Sequence, residues 1–153
     1  MTDRIAYQIL ESNYEEKEII IAGIKHNGYL FAQKLADTLS KLSKTKITLT
    51  AIELNKTTPL ENEIKHDFKN LKLDQKSLIL VDDVANTGKT LFYALKPVME
   101  FNPKKVQIAV LIDRVHKMYP TSADYVGLSL STTLQEHITV DLINENKEAA
   151  FLS

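Results

Sequence analysis

The chain has no cysteine. Disulfides, thiolate metal sites and cysteine nucleophiles are excluded at once. It has only four glycines and four prolines, and no internal repeat, low-complexity tract or linker-like stretch divides it. At 153 residues it is long enough to bury a substantial core, and residues 1–153 read as one domain. No apolar run approaches the roughly 18 residues of a membrane span. The N-terminus turns polar within its first four positions, so no secretory leader is expected and a cytoplasmic location is the default. An excess of charge of either sign is missing as well. Nineteen Lys and Arg against twenty Asp and Glu leave a net charge of −1, so no global field draws the chain toward nucleic acid or membrane.

What is present is an alternation of strand-like and helix-like segments. Ile5, Ala6, Ile9 and Leu10 recur at helical spacing. Residues 19–22 form a short apolar run led by three isoleucines, the pattern of a strand covered on both faces. From Gly28 a helix is expected with Ala32, Leu35, Ala36 and Leu39 on one face, followed by a strand at 46–53 that alternates through Ile47, Leu49 and Ala51. Residues 78–81 give a third strand, and the helix after it carries Leu91, Leu95 and Val98, with Pro97 predicting a kink or an early end. A fourth strand is expected at 106–112 and shorter ones at 125–129 and 137–142, with the tail folding back as a hairpin around 144–147. Strands alternating with helices point to an α/β fold, a doubly wound parallel sheet flanked by helices.

The richest stretch is Leu78-Ile79-Leu80-Val81-Asp82-Asp83-Val84-Ala85-Asn86-Thr87-Gly88-Lys89-Thr90. Four apolar residues lead into two carboxylates and then into a small, hydroxyl-rich turn that opens a helix. Such a helix start presents unpaired N–H groups and about half a positive charge, a natural seat for phosphate. Gly88 lets the backbone approach a ligand, and the hydroxyls of Thr87 and Thr90 add donors. Ionised Asp82 and Asp83 can only accept hydrogen bonds, which suits sugar hydroxyls or a hydrated divalent cation. Together these groups describe a sugar phosphate. An Asp that merely caps the helix is the plainer alternative. Gly88-Lys89-Thr90 imitates the end of a nucleotide P-loop, but that motif needs glycine where Asp83 stands.

Other segments fall near the same end of the sheet. Gly23-Ile24-Lys25-His26-Asn27-Gly28 follows the first strand, begins and ends in glycine, and precedes a helix. It could hold a second anion or be a plain connection. Residues 55–67 are polar, with Lys56, Thr57, Thr58, Pro59 and two glutamates, and read either as a mobile flap or as a surface loop. His26, His66, His116 and His137 show no spacing that suggests a transition-metal site.

Residues 80–90 resemble the ribose-5-phosphate-binding signature of the type I phosphoribosyltransferases. Residues 3–11, Ala22-Gly23-Ile24, Leu111-Ile112-Asp113-Arg114-Val115-His116 and Ala123-Asp124-Tyr125-Val126-Gly127 resemble the pyrimidine-operon regulators, members of which double as uracil phosphoribosyltransferases. The resemblance implies a ribose-5-phosphate site at Asp82, Asp83, Val84, Ala85, Asn86, Thr87, Gly88, Lys89 and Thr90, with Asp82 and Asp83 also catalytic. It implies a pyrophosphate site at Gly23, Ile24, Lys25, His26, Asn27 and Gly28, and a base site at Asp113, Arg114 and Val115 under a hood near 125–127. The segment 55–67 would be the flap. Magnesium would arrive on the substrate, near Asp82 and Asp83, without a dedicated protein site. A homo-oligomer, dimer or larger, is implied too.

Two departures stand beside these matches. Where the regulators usually carry arginine before the glycine of the pyrophosphate loop, this chain has Asn27, and where they carry Tyr-Arg-Asp-Asp it has Thr50-Ala51-Ile52-Glu53. Loss of that arginine removes a charge-assisted hydrogen bond, on the order of 1.5–3 kcal/mol. The implied activity is transfer of phosphoribosyl from phosphoribosyl pyrophosphate to a pyrimidine base, uracil first, giving UMP and pyrophosphate in nucleotide salvage. One alternative is a nucleotide-sensing RNA-binding regulator with little or no catalysis; another is a purine-base transferase. RNA is not the favoured partner, since the basic residues are scattered, with Lys41, Lys44 and Lys46 in one modest group and Lys104 and Lys105 in a second.

Overall fold

Apolar runs without polar alternation require cover on both faces, and the isoleucines at 19–21 obtain it at the centre of a sheet. The computed structural model describes residues 1–114, 116–130, 138–141 and 149–152. Its elements are α1 (Thr2–Ser12), β1 (Glu18–Ile24), α2 (Asn27–Leu42), β2 (Lys46–Ile52), α3 (Phe68–Leu71), β3 (Ser77–Ala85), α4 (Lys89–Val98), β4 (Lys105–Asp113), β5 (Tyr125–Ser129), β6 (Ile138–Asp141) and β7 (Ala149–Leu152). Strands β1 to β5 form one sheet in the order β2-β1-β3-β4-β5, every pair parallel. This is the doubly wound sheet expected from the alternating pattern.

Strand side chains alternate between faces, and the core divides accordingly. Ile19, Ile21, Ile79, Val81, Ala109 and Leu111 pack with Ile5 and Ile9 of α1 and with Phe31, Leu35 and Leu39 of α2. The intervening residues, Ile20, Ala22, Leu78, Leu80, Ile108 and Val110, pack on the other face with Phe68, Leu91, Ala94 and Val98. Burial of each such Ile, Leu or Phe side chain contributes about 1.5–3 kcal/mol. The helix predicted from Gly28 buries Ala32, Leu35, Ala36 and Leu39, as its periodicity required. Helix α4 stops at Val98, one residue after Pro97, so the proline marks an early end.

Several boundaries differ from the sequence reading. Strand β3 runs on through Asp82 and Asp83 to Ala85, because β4 continues to pair with it at Asp82↔Val110 and Val84↔Ile112. Residues 125–127 lie in β5, the strand expected at 125–129, where Tyr125 and Val126 pair with Ala109 and Val110. Arg4 of α1 holds that edge by donating to the Val126 and Gly127 carbonyls. One-turn helix α3 carries no periodicity to predict it; fully buried Phe68 fixes it, its ring 6.2 Å from that of Phe101. The expected tail hairpin is present as antiparallel β6 and β7, while residues 142–148 between them lie outside the described residues, as do His137 and Val115.

A buried polar knot ties α1 to the sheet. Asn13 donates to the Ile9 carbonyl (2.8 Å) and to Gln107 Oε1 (3.2 Å), and it accepts from Ser77 Oγ (3.3 Å). Tyr125 donates to the same Gln107 oxygen at 2.8 Å. Asn13→Ala leaves the buried Ser77 hydroxyl without this acceptor and takes one donor from half-buried Gln107, and is expected to cost about 1–2 kcal/mol. Urea unfolding should show a lower midpoint at an unchanged slope.

Candidate functional site

The sheet order reverses between β1 and β3: from β1 the chain moves outward to β2, then returns across β1 to β3. In open parallel sheets the crevice beyond the carboxyl ends of two such strands is where ligands bind. Here those ends carry Gly23-Ile24-Lys25 and Asp82-Asp83, joined by the pairing of Gly23 with Val81. Helix α2 starts at once from β1. Gly28 lies so close to β3 that a Cβ there would meet Asp82 Oδ1 at 2.8 Å and the Val81 carbonyl at 3.0 Å.

Because β3 is still a strand at the acids, the two carboxylates face different spaces. Asp82 is 1% exposed and lines a cup of 160 Å³ formed by residues 84–91 and Lys56. Asp83, half-buried, lines a larger cleft of 890 Å³ with Lys25, His26, Asn27 and the 53–56 segment. The two acids thus line neighbouring spaces. Lys56 belongs to both linings.

Each space is headed by a helix whose N-cap residue makes no side-chain cap and whose first turn holds no acid, α2 on the cleft and α4 on the cup, with the Lys89 N–H of α4 donating to Thr87 Oγ1 at 3.3 Å. Unpaired N–H groups with the positive end of the helix dipole attract an anion. The connection into the cleft is pinned from below, since the Lys25 N–H donates to the Ile52 carbonyl at 2.9 Å and the Lys25 ammonium lies 3.7 Å from Glu53. The peptide between Lys25 and His26 is cis.

The cup is pinned from above. Gly88 has φ +88°, a left-handed conformation that glycine adopts without strain, and an added Cβ would collide with Thr121 Oγ1. Thr121 donates to the Gly88 carbonyl at 3.2 Å, and the Met118 and Tyr119 N–H groups both donate to the Thr87 carbonyl. The turn is thus covered by the 118–121 segment. Arg114 joins it, donating from its backbone to Ala85 and from its guanidinium to Asn86 Oδ1 at 3.2 Å. Asp113 is ion-paired to Lys117 at 3.1 Å. Arg114 thus adjoins the cup through Ala85 and Asn86, while Asp113 lines neither the cup nor the cleft and Val115 lies outside the described residues.

Burial pushes the Asp82 carboxyl well above the ordinary carboxylate range; the charge of Asp83 adds to this, and Lys56 at 3.5 Å opposes it. Around the cleft, Lys25, Lys56 and Lys65 face Glu53, Glu63 and Asp83, one cation for each acid. Among the described residues no three His, Cys, Asp or Glu side chains converge on a point. The acids present suit outer contacts to a cation that a phosphate ligand brings with it.

With this geometry, residues 2–142 match the family described as phosphoribosyl transferase domain. The chain belongs to the phosphoribosyltransferase family. It is 34% identical over 145 residues to a protein named bifunctional protein pyrR from Enterococcus faecalis, covering 91% of this chain and 82% of that one. A protein of the same name from Clostridium acetobutylicum is 34% identical over 152 residues, with 95% and 85% covered. Its fold is that of solved phosphoribosyltransferases. A hypoxanthine-guanine enzyme from Bacillus anthracis superposes with a TM-score of 0.73 at 22% identity, covering 90% of this chain and 77% of that one. The hypoxanthine enzyme of Trypanosoma cruzi gives 0.71 at 18%, with 84% and 74% covered. The chain is thus a type I phosphoribosyltransferase, PyrR-like in sequence. No helix among the described residues is long and apolar enough to cross a membrane.

Sequence alone singles out neither Thr121 nor the contact of Lys56 with Asp82. Thr121 carries no local signal beyond following Pro120, and Lys56 meets Asp82 only through the fold.

Proposed function

We propose that residues 1–153 act as one phosphoribosyltransferase domain that joins a pyrimidine base, uracil first, to phosphoribosyl pyrophosphate and releases pyrophosphate. The observation that carries this reading is the packing of Gly28 against Asp82, which sets two helix starts on either side of an acid. That is the charge pattern of a pentose with phosphate at one end and pyrophosphate at the other. The choice of uracil rests on resemblance to the pyrimidine-operon regulators.

In this reading the turn at 86–90 holds the 5-phosphate and the loop at 23–28 holds the pyrophosphate. Binding energy spent at both ends orients the bond that breaks between them. Lys25 offsets charge on the pyrophosphate as the bond lengthens, and magnesium carried by the substrate would supply further positive charge there. Asp82 accepts from ribose hydroxyls and, once ionised, offsets the positive charge that grows on the sugar; Asp83, on the cleft side, faces the pyrophosphate and its cation. The base would approach from the end of β4, near Asp113 and Arg114. No covalent enzyme intermediate is needed.

Incubation of the protein and magnesium with labelled phosphoribosyl pyrophosphate and uracil, hypoxanthine or guanine is expected to give UMP first. Nucleotide from none of them would end the enzymatic reading. RNA binding has less support. Lys104 is paired to Glu16 at 2.9 Å, Lys46 lies 3.9 Å from Glu18, and Lys105 donates to the Ser12 carbonyl at 2.9 Å, so part of each basic group is engaged within the fold.

A further inference from the structure

The loop between β2 and α3 is closed at its base. Glu53 and Lys65 exchange both backbone hydrogen bonds, each 3.0 Å, and residues 54–64 project beyond that neck. Within the loop the Asn55 side chain accepts from the Thr57 and Thr58 N–H groups at 2.9 and 3.1 Å. This local turn flanks Lys56. The Lys56 ammonium reaches from there to Asp82 Oδ1 at 3.5 Å, with its side chain still 42% exposed.

Three features of this contact stand out. It is long for a hydrogen bond, and an ammonium has three donors of which Asp82 takes one. Its partner is a buried carboxyl that burial already disfavours as an anion. And Lys56 lines both the 160 Å³ cup and the 890 Å³ cleft, the wall common to the two spaces that end in helix starts. Of the other cleft lysines, Lys25 lies 3.7 Å from Glu53, and neither it nor Lys65 lines the cup. A phosphate dianion in either space offers Lys56 a stronger and better-hydrated partner than Asp82 does.

We propose that Lys56 is the phosphate-binding cation of the 54–64 loop, its ammonium passing from Asp82 to the phosphates of phosphoribosyl pyrophosphate when that substrate binds. The exchange does two things. It supplies a positive charge between the 5-phosphate and the pyrophosphate, and it clears the Asp82 carboxyl for the ribose hydroxyls. The proposal rests on the functional reading above, and it assigns the role to a residue that neither phosphate loop contains.

Isothermal titration of wild type, Lys56→Met and Lys56→Arg with magnesium phosphoribosyl pyrophosphate tests it. Lys56→Met is expected to bind about 10- to 100-fold more weakly, and Lys56→Arg, which keeps the charge, to recover to within a few-fold of wild type. Melting temperatures of the unliganded proteins should differ little, since the residue is exposed. Equal binding by wild type and Lys56→Met overturns the role of Lys56 and leaves the functional reading standing. Weak binding by both variants shows a demand for lysine geometry rather than for charge and overturns the exchange as stated. Failure of wild type to bind overturns both.

Discussion

Asp82→Asn is expected to lower kcat roughly 10²–10³-fold, the scale of removing one preorganised electrostatic contact from a transition state, while the protein stays folded. The substitution is nearly isosteric, and the site already favours an uncharged side chain: Asp82 is 1% exposed and its carboxyl is held well above its ordinary range by burial first and by Asp83 second. Asparagine satisfies the ground state of the empty protein but cannot become negative as positive charge grows on the sugar. The stability consequence has a definite sign. A carboxyl whose folded-state pKa is raised binds its proton more tightly in the folded chain, so it stabilises fully below the unfolded-state value and loses that contribution as pH rises through the raised one. Wild type should therefore lose melting temperature relative to Asp82→Asn across that window, and the two curves should converge toward pH 3–4, near the ordinary aspartate pKa of about 3.9. Steady-state rates and a pH series of thermal melts measure both. An Asp82→Asn protein that turns over within threefold of wild type would remove Asp82 from the chemistry.

The sheet was legible because its central strands are apolar without interruption, a pattern that only a doubly covered strand tolerates. The same logic placed the glycines and acids at one end of the sheet. What could not be read locally was how far β3 continues. Asp is poor strand material, so Asp82 and Asp83 look like loop residues, yet pairing with Val110 and Ile112 of β4 carries the strand past them. That extension decides the site, since alternation along a strand sends neighbouring side chains to opposite sides and gives each acid its own space. Arg114 shows the opposite limit. Resemblance implies a base site for it, and its bond to Asn86 arises from how residues 116–121 fold over the turn, which no spacing in the sequence encodes. Lys56 lies in a stretch whose composition says only that it is polar.

Gly28→Ala is expected to weaken binding of phosphoribosyl pyrophosphate by about 100-fold or more and to cost about 2–3 kcal/mol of stability, the upper part of the usual range for overpacking. The added methyl has nowhere to go. Its ideal position lies 2.8 Å from Asp82 Oδ1, 3.0 Å from Asp82 Cα and 3.0 Å from the Val81 carbonyl oxygen, and two of those three atoms are backbone of a strand paired on both sides. The helix must yield instead of the sheet. Moving the start of α2 shifts the N–H groups of the cleft away from Asp83 and disturbs the carboxylate of the cup in the same step, so one methyl affects both phosphate positions. About 100-fold corresponds to roughly 2.7 kcal/mol, comparable to losing one or two charge-assisted hydrogen bonds. Titration at a temperature where the variant is fully folded separates the two effects, with circular dichroism confirming the fold. A Gly28→Ala protein that is destabilised but binds with wild-type affinity would show that the contact between α2 and β3 serves packing alone, and the site would have to be rebuilt without it.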